Sequence, residues 1–141
     1  MGVEYYCPTQ LLVERVAEKK QELERPTNPK PEEIRVVDSV TGGEKGQKDC
    51  QLGALDPLAL WEVGNIAGFG NKKYERYNFA KGYKWSLSYD ALQRHLMLFW
   101  GGENMDPESG LPHIAHAAWH CLALLTFSMR GKGTDDRFPS S

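Results

Sequence analysis

The chain has 141 residues, with 17 Lys+Arg against 19 Asp+Glu, a net charge of −2, 40% hydrophobic and 26% charged residues. That length and apolar content support one domain of ordinary size with its own core, and exclude a wholly disordered chain and a membrane bundle. The near-neutral balance argues against an extended nucleic-acid partner gripped by a broad basic face, although a local basic pocket is compatible with it.

Cys7, Cys50 and Cys121 are odd in number and never form a Cys-x-x-Cys pair. Neither a disulfide framework nor a zinc ribbon is expected, and the thiols should be reduced. The start, Met1-Gly2-Val3-Glu4-Tyr5-Tyr6, lacks the basic and apolar regions of a secretory signal. The most apolar stretch, Ile114 to Phe127, is interrupted by His116 and His120 and is too short for a bilayer span. No membrane partner and a cytoplasmic location follow as expectations.

In chain order, Leu12, Val16 and Leu23 predict a surface helix between Pro8 and Glu24. Pro26, Pro29 and Pro31 then impose an extended connector, so residues 1–30 read as a helix plus linker ahead of a domain over 31–131. The β-branched run Ile34 to Val40, bounded by Gly42-Gly43, predicts a short strand or hairpin ending near Lys48.

From Asp56 the period turns helical. Asp56-Pro57 supplies an N-cap and a first-position proline, and Gly68 and Gly70 are expected to end that helix. Ser86 is expected to cap a second helix through Trp100, with Leu92, Leu96 and Phe99 buried and Gly101-Gly102 as terminator. A third should run from about Pro112 to Arg130, packing through Ile114, Ala118, Leu122, Leu125 and Met129. The predicted fold is therefore mainly α: a small helical bundle with a short β-hairpin or strand near residues 34–48, lying over one end. Residues 132–141, polar and ending Pro-Ser-Ser, are expected to form a flexible tail.

Chemistry concentrates in two segments. In the first, His113, His116 and His120 fall within about 60° of one another on a helix. They lie next to a loop with Glu103, Asp106 and Glu108, and Arg94-His95 close the preceding helix. Imidazoles beside carboxylates can hold a metal, position a water or bind phosphate oxygens. Acids alone suit magnesium or manganese, and histidines suit zinc, manganese or iron, so the mixture selects no single metal. Core histidines bonded to neighbouring groups, with Asp106 or Ser109 as a helix cap, are the purely structural alternative.

In the second segment, residues 71–85 carry five cationic and five aromatic side chains between two helices. The cations can grip phosphates while an aromatic face stacks on a base, with Lys73, Arg76 and Asn78 as the preferred ligands; a solvated loop anchored to the core by Tyr74, Phe79 and Trp85 is the structural alternative. Thr41 to Lys48 is not a Walker motif, but Lys45 can face an anion from a glycine-rich turn.

Thr41-Gly42-Gly43-Glu44-Lys45-Gly46, Lys73-Tyr74, Asn78-Phe79, Gly82, Trp85-Ser86, Arg94-His95 and the block Gly102-Glu103-x-x-Asp106-Pro107-Glu108-Ser109-Gly110-x-x-His113-x-x-His116-x-x-Trp119 carry a family likeness. Over roughly Ile34 to Arg130 they resemble the phage-associated dATP/dGTP diphosphohydrolase N-terminal-domain family. The resemblance implies a mostly helical phage or prophage protein, acting in the host cytoplasm on purine deoxynucleotides and converting triphosphate to monophosphate and pyrophosphate. Its neighbourhood of MazG-like all-α enzymes implies a homo-oligomer.

On that reading Glu103, Asp106 and Glu108 hold magnesium or manganese. His113, His116 and Glu108 serve catalysis. Lys45, Lys73, Tyr74, Arg76, Asn78, Trp85, Arg94, His95 and His120 bind the nucleotide. The alternative is a non-catalytic binder or sponge of a nucleotide or nucleotide-derived signal, or an accessory domain of a nucleotide-metabolising enzyme.

Overall fold

The computed structural model describes residues 33–139. The helix expected between Pro8 and Glu24 lies outside them. The chain divides into two units, Met1–Cys50 and Gln51–Ser141.

Within the first unit, β1 (Ile34–Val37) pairs antiparallel with β2 (Glu44–Gln47), Ile34 opposite Gln47 and Val37 opposite Glu44. Asp38 makes the turn, its carboxylate accepting from the Val40 amide at 2.9 Å and the Thr41 amide at 2.8 Å. Gly42 supplies the positive φ, 74°, that closes it. Lys45 sits on β2 opposite Val36.

The second unit is built from α1 (Pro57–Lys73), α2 (Trp85–Trp100) and α3 (His113–Arg130), with short 3-10 turns at Leu52–Ala54 and Asn78–Lys81. Among the described residues the protein is thus mainly α with one hairpin, as its sequence predicts. Asp56 caps α1 as expected, accepting from the amides of Leu58 at 2.7 Å and Ala59 at 3.1 Å. That helix does not stop at Gly68 or Gly70; it runs to Lys73, because neither glycine adopts a helix-breaking conformation and the Tyr74 amide still donates to the Gly70 carbonyl. Among the described residues no helix is long and apolar enough to cross a membrane.

The helix α3 packs antiparallel to α2 and also against α1, and its buried side differs from the one expected. His113, Ala115, His116, Ala117, Ala123 and Phe127 face the interior, whereas Ile114, Leu122, Leu125 and Met129 are exposed. The small alanines let α2 and α1 approach closely. The imidazoles fill the space between them because each finds a polar partner, which removes the usual cost of burying such groups.

One further expectation changes. Ser86 does not cap α2; the helix starts two residues earlier, with Lys84 at the cap position and no side-chain cap of its own. Residues 132–137 bond back to the start of α2. Thr134 exchanges backbone bonds with the residues leading into α2: its amide donates to the Tyr83 carbonyl at 3.1 Å, and its carbonyl accepts from the Trp85 amide at 3.0 Å. Asp136 then accepts from the Ser86 amide at 2.9 Å and its hydroxyl at 2.6 Å, supplying the missing cap from a distant part of the chain. Gly82 and Gly133, both at positive φ, make this crossing possible. A Cβ on Gly133 would stand 2.2 Å from the Tyr83 carbonyl oxygen.

Candidate functional site: an imidazole cluster beneath an acidic loop

Residues 101–112 fold back between α2 and α3. Gly102 takes a φ of 96°, and the Glu103 amide donates to the Leu98 carbonyl at 3.0 Å. The Asp106 amide donates to Leu111, the Gly110 amide to Asp106 (both 2.8 Å), and the His113 amide to Asn104 at 2.9 Å. Gly110, at φ 69°, allows this tight return. The loop is therefore closed on its own backbone, and it presents Glu103, Asp106 and Ser109 downward onto the histidines.

All four histidines of the protein meet there. The His95 ring, from α2, stacks on His116 with centroids 4.4 Å apart and planes 8° from parallel. It lies 6.0 Å from His120 and 5.1 Å from His113. Its Nδ1 is 2.8 Å from Nδ1 of His113. His113 is fully buried, and its Nε2 lies 2.9 Å from Glu103 Oε1.

A carboxylate can only accept, so neutral His113 carries its proton on Nε2 and turns a bare Nδ1 toward His95. The same reasoning fixes His116. The Ser109 hydroxyl donates to Asp106 Oδ2 at 2.7 Å, so its oxygen accepts from His116 Nε2–H at 2.7 Å, leaving His116 Nδ1 bare. The Leu111 amide, at 3.2 Å, completes the serine's bonding.

Burial drives the cluster's electrostatics. The desolvated environment holds His95 below the ordinary imidazole range, and positive charge on His116 or His113 would push it further down. Burial likewise depresses His116 against the opposing pull of Asp106. His120, bonded at 3.2 Å to Ser88, is lowered to about 4 by burial and by the neighbouring imidazoles. Burial alone would raise the Asp106 carboxyl, but bonds from the Ser109 hydroxyl and amide and the adjacent imidazoles hold it below its usual value. At neutral pH the His95, His116 and His120 rings are therefore uncharged and Asp106 is ionised. Such a set can ligate a cation or accept a proton from water.

The structure brings together His95, His113, His116, His120, Glu103 and Asp106. Glu108 points outward and pairs with Lys73 at the rim, where Lys73 also lies over Phe69, itself edge-on to His116. Tyr74 is exposed; Arg76 stacks over Tyr77. Asn78 opens the 3-10 turn that leads to Phe79, which meets Trp119 edge-on. Trp85 donates to the Lys132 carbonyl at 2.9 Å and carries Arg137 over its ring, so it belongs to the clasp with the C-terminal segment. Arg94 is exposed on α2. Lys45 belongs to the other unit.

Sequence reasoning did not single out Ser88 or Tyr83 as members of this network, and took Ser109 only as a helix cap. Ser88 is buried, with its hydroxyl 2.7 Å from Tyr83 Oη. Its position seven residues before His95 on the same helix face was the one available signal.

The fold and site define a small helical domain whose histidines are gathered under an acidic, glycine-bounded loop. Residues 39–137 match the family model for the dATP/dGTP diphosphohydrolase N-terminal domain, and the chain belongs to that family. It is 32% identical over 98 residues to a dATP/dGTP diphosphohydrolase of Salmonella phage PMBT28, a match that covers 70% of this chain and 33% of that relative. The chain thus spans about a third of the relative's length. No solved structure matches it.

Proposed function

We propose that this protein binds purine deoxynucleoside triphosphates at the imidazole cluster and hydrolyses them to monophosphate and pyrophosphate with a divalent ion. The observation that carries this reading is the convergence of four imidazoles and two carboxylates at one loop-covered position, with Lys73 at its rim. The name of the phage relative supports the substrate class. The donor set fits a divalent ion, since two imidazoles and a carboxylate bring their ligand atoms within 4.8 Å of one another there. Such an ion would offset the charge that builds on phosphate oxygens.

The protein's own groups divide the remaining work. His116 keeps a bare Nδ1 and is suited to take a proton from the attacking water; both nitrogens of His113 are already engaged, which suits it to orienting. Lys73, released from Glu108, clamps phosphate oxygens, with Arg76 beside it in sequence. Trp61 and Trp100, both largely exposed, together with Leu122 and Leu125, offer apolar area for the second copy that the homo-oligomer reading requires.

A second reading is favoured by one detail: the Ser109 hydroxyl, bonded both to an imidazole and to Asp106, gives its proton to the carboxylate and is not an activated nucleophile. A domain that binds the nucleotide without turning it over fits that arrangement as well. Incubating the full chain with dATP or dGTP and magnesium or manganese decides between them. Pyrophosphate release supports hydrolysis, calorimetric binding with unchanged ligand recovered supports the binder, and neither result on any purine or pyrimidine triphosphate removes both.

A further inference from the structure

The acids of the loop and the imidazoles beneath it do not contribute equally to a cation site. Glu108 faces Lys73 and the surface. Glu103 is occupied behind His113. What remains facing inward is Nδ1 of His95, Nδ1 of His113 and the Asp106 carboxylate, whose candidate ligand atoms all lie within 4.8 Å of one another. We infer that these three groups would hold a divalent transition ion such as manganese(II), with Glu103 fixing His113 from behind and the ion's remaining positions open to water or phosphate oxygens. The inference rests on the proposed nucleotide reading only for what fills those open positions.

Three observations carry it. The first is the arrangement Glu103–His113–Nδ1. A ligating histidine almost always hands its second N–H to a carboxylate or carbonyl, which sets the tautomer and aims the lone pair. Here the 2.9 Å bond to Glu103 does this for a ring with no exposed surface.

The second is the pair of Nδ1 atoms, 2.8 Å apart. In the metal-free protein the two rings share one proton there; moving the His95 proton to its other nitrogen, which has no bonding partner among the described residues, frees a lone pair on each Nδ1, and a modest turn of the rings lets both reach one ion.

The third is Asp106. Its Oδ2 is taken by Ser109, through amide and hydroxyl, while no bond to Oδ1 forms among the described residues. One oxygen thus stays anchored on Ser109 while the other is available to an ion shared with the two imidazoles. Nitrogen donors also separate this ion from magnesium, which keeps oxygen ligands.

The test is manganese binding by the untagged full chain, freed of metal by chelator and titrated with Mn(II). Thiolates compete poorly for this ion, so the exposed Cys50 and Cys121 do not obscure the reading. One equivalent is expected by metal analysis and electron paramagnetic resonance, with spin-echo nitrogen couplings from two imidazoles in the wild-type chain and from one in His95→Ala where that variant still retains the ion. Stoichiometric binding should vanish in His95→Ala and Asp106→Asn and weaken about 10–100-fold in Glu103→Gln.

Failure to bind an equivalent in the wild-type chain overturns the inference. So does an equivalent that survives unweakened in both ligand variants, or a wild-type spin-echo spectrum without imidazole nitrogen couplings; the wild-type spectrum decides even where a variant does not fold. Pyrophosphate release scored separately with magnesium keeps the two proposals apart, since hydrolysis can persist without this site and the site can fill without hydrolysis.

Discussion

Nδ1 of His95 and Nδ1 of His113 face each other at 2.8 Å across the junction of α2 and α3, and Glu103 holds the far side of the His113 ring. The two helices are therefore joined at this end by polar groups whose proton positions depend on one carboxylate. Glu103→Gln reverses the constraint, because its amide can either donate or accept. The expected outcome is a His113 ring populating both tautomers, seen as altered imidazole nitrogen shifts, with the backbone fold unchanged.

Ser109→Ala removes a hydroxyl that serves three partners, leaving His116 Nε2 and the Leu111 amide without an acceptor. Leaving such part-buried groups unpaired costs about 1–3 kcal/mol. Urea unfolding should show a lower midpoint with an unchanged slope, and Ser109→Thr should recover part of the loss.

Acid should destabilise the metal-free protein well above the carboxylate range. His120 is held at about 4 and His95 and His116 are also depressed, whereas the unfolded chain takes up its protons near 6.5. Between those values the unfolded state binds more protons, so stability rises with pH and falls as pH drops from 6.5 toward 4, by up to about 1.4 kcal/mol per unit for each proton. Urea midpoints at pH 7 and pH 5 measure the slope, and His120→Gln should flatten it.

If Lys73 clamps phosphate oxygens, Lys73→Ala raises KM for dATP on the order of tenfold while leaving kcat nearly unchanged, the pattern of a binding contact equal in ground and transition states. Glu108→Ala, which frees the ammonium from its partner, should move KM the other way. Steady-state pyrophosphate release separates the two directions.

Asp136→Ala strips α2 of the cap that residues 84–86 do not provide themselves. Its melting temperature should fall by several degrees, and adding Ser86→Ala should cost little more, since the two residues act through one contact. Gly133→Ala should be worse than either, because its Cβ meets the Tyr83 backbone and φ is 72°.

Much of this fold is legible from local chemistry. Asp56-Pro57 marks the start of α1, Gly131 the end of α3, and Gly42 a turn, because caps and positive φ depend on a few adjacent residues. The orientation of α3 is not legible in the same way. Ile114, Leu122, Leu125 and Met129 form as good an apolar stripe as the one that is buried, and hydrophobicity alone favours them. What reverses the choice is the partners for His113, His116 and His120, which come from loop and α2 residues up to 32 positions away. The same distance hides Ser88, and the role of Asp136 lies 50 residues from Ser86. In the candidate site, helical spacing shows that three imidazoles share a face, but only the return of the loop determines that Asp106 turns inward and Glu108 outward.

The clasp between residues 132–137 and the start of α2 has a mechanical consequence. Tension applied to a sequence attached beyond Phe138 reaches Asp136, Arg137 and Trp85 before it reaches the last turn of α3. A tether placed there tugs on the helix that carries His95, whereas one joined directly after Gly131 would sever that linkage and leave the α2 amides to solvent.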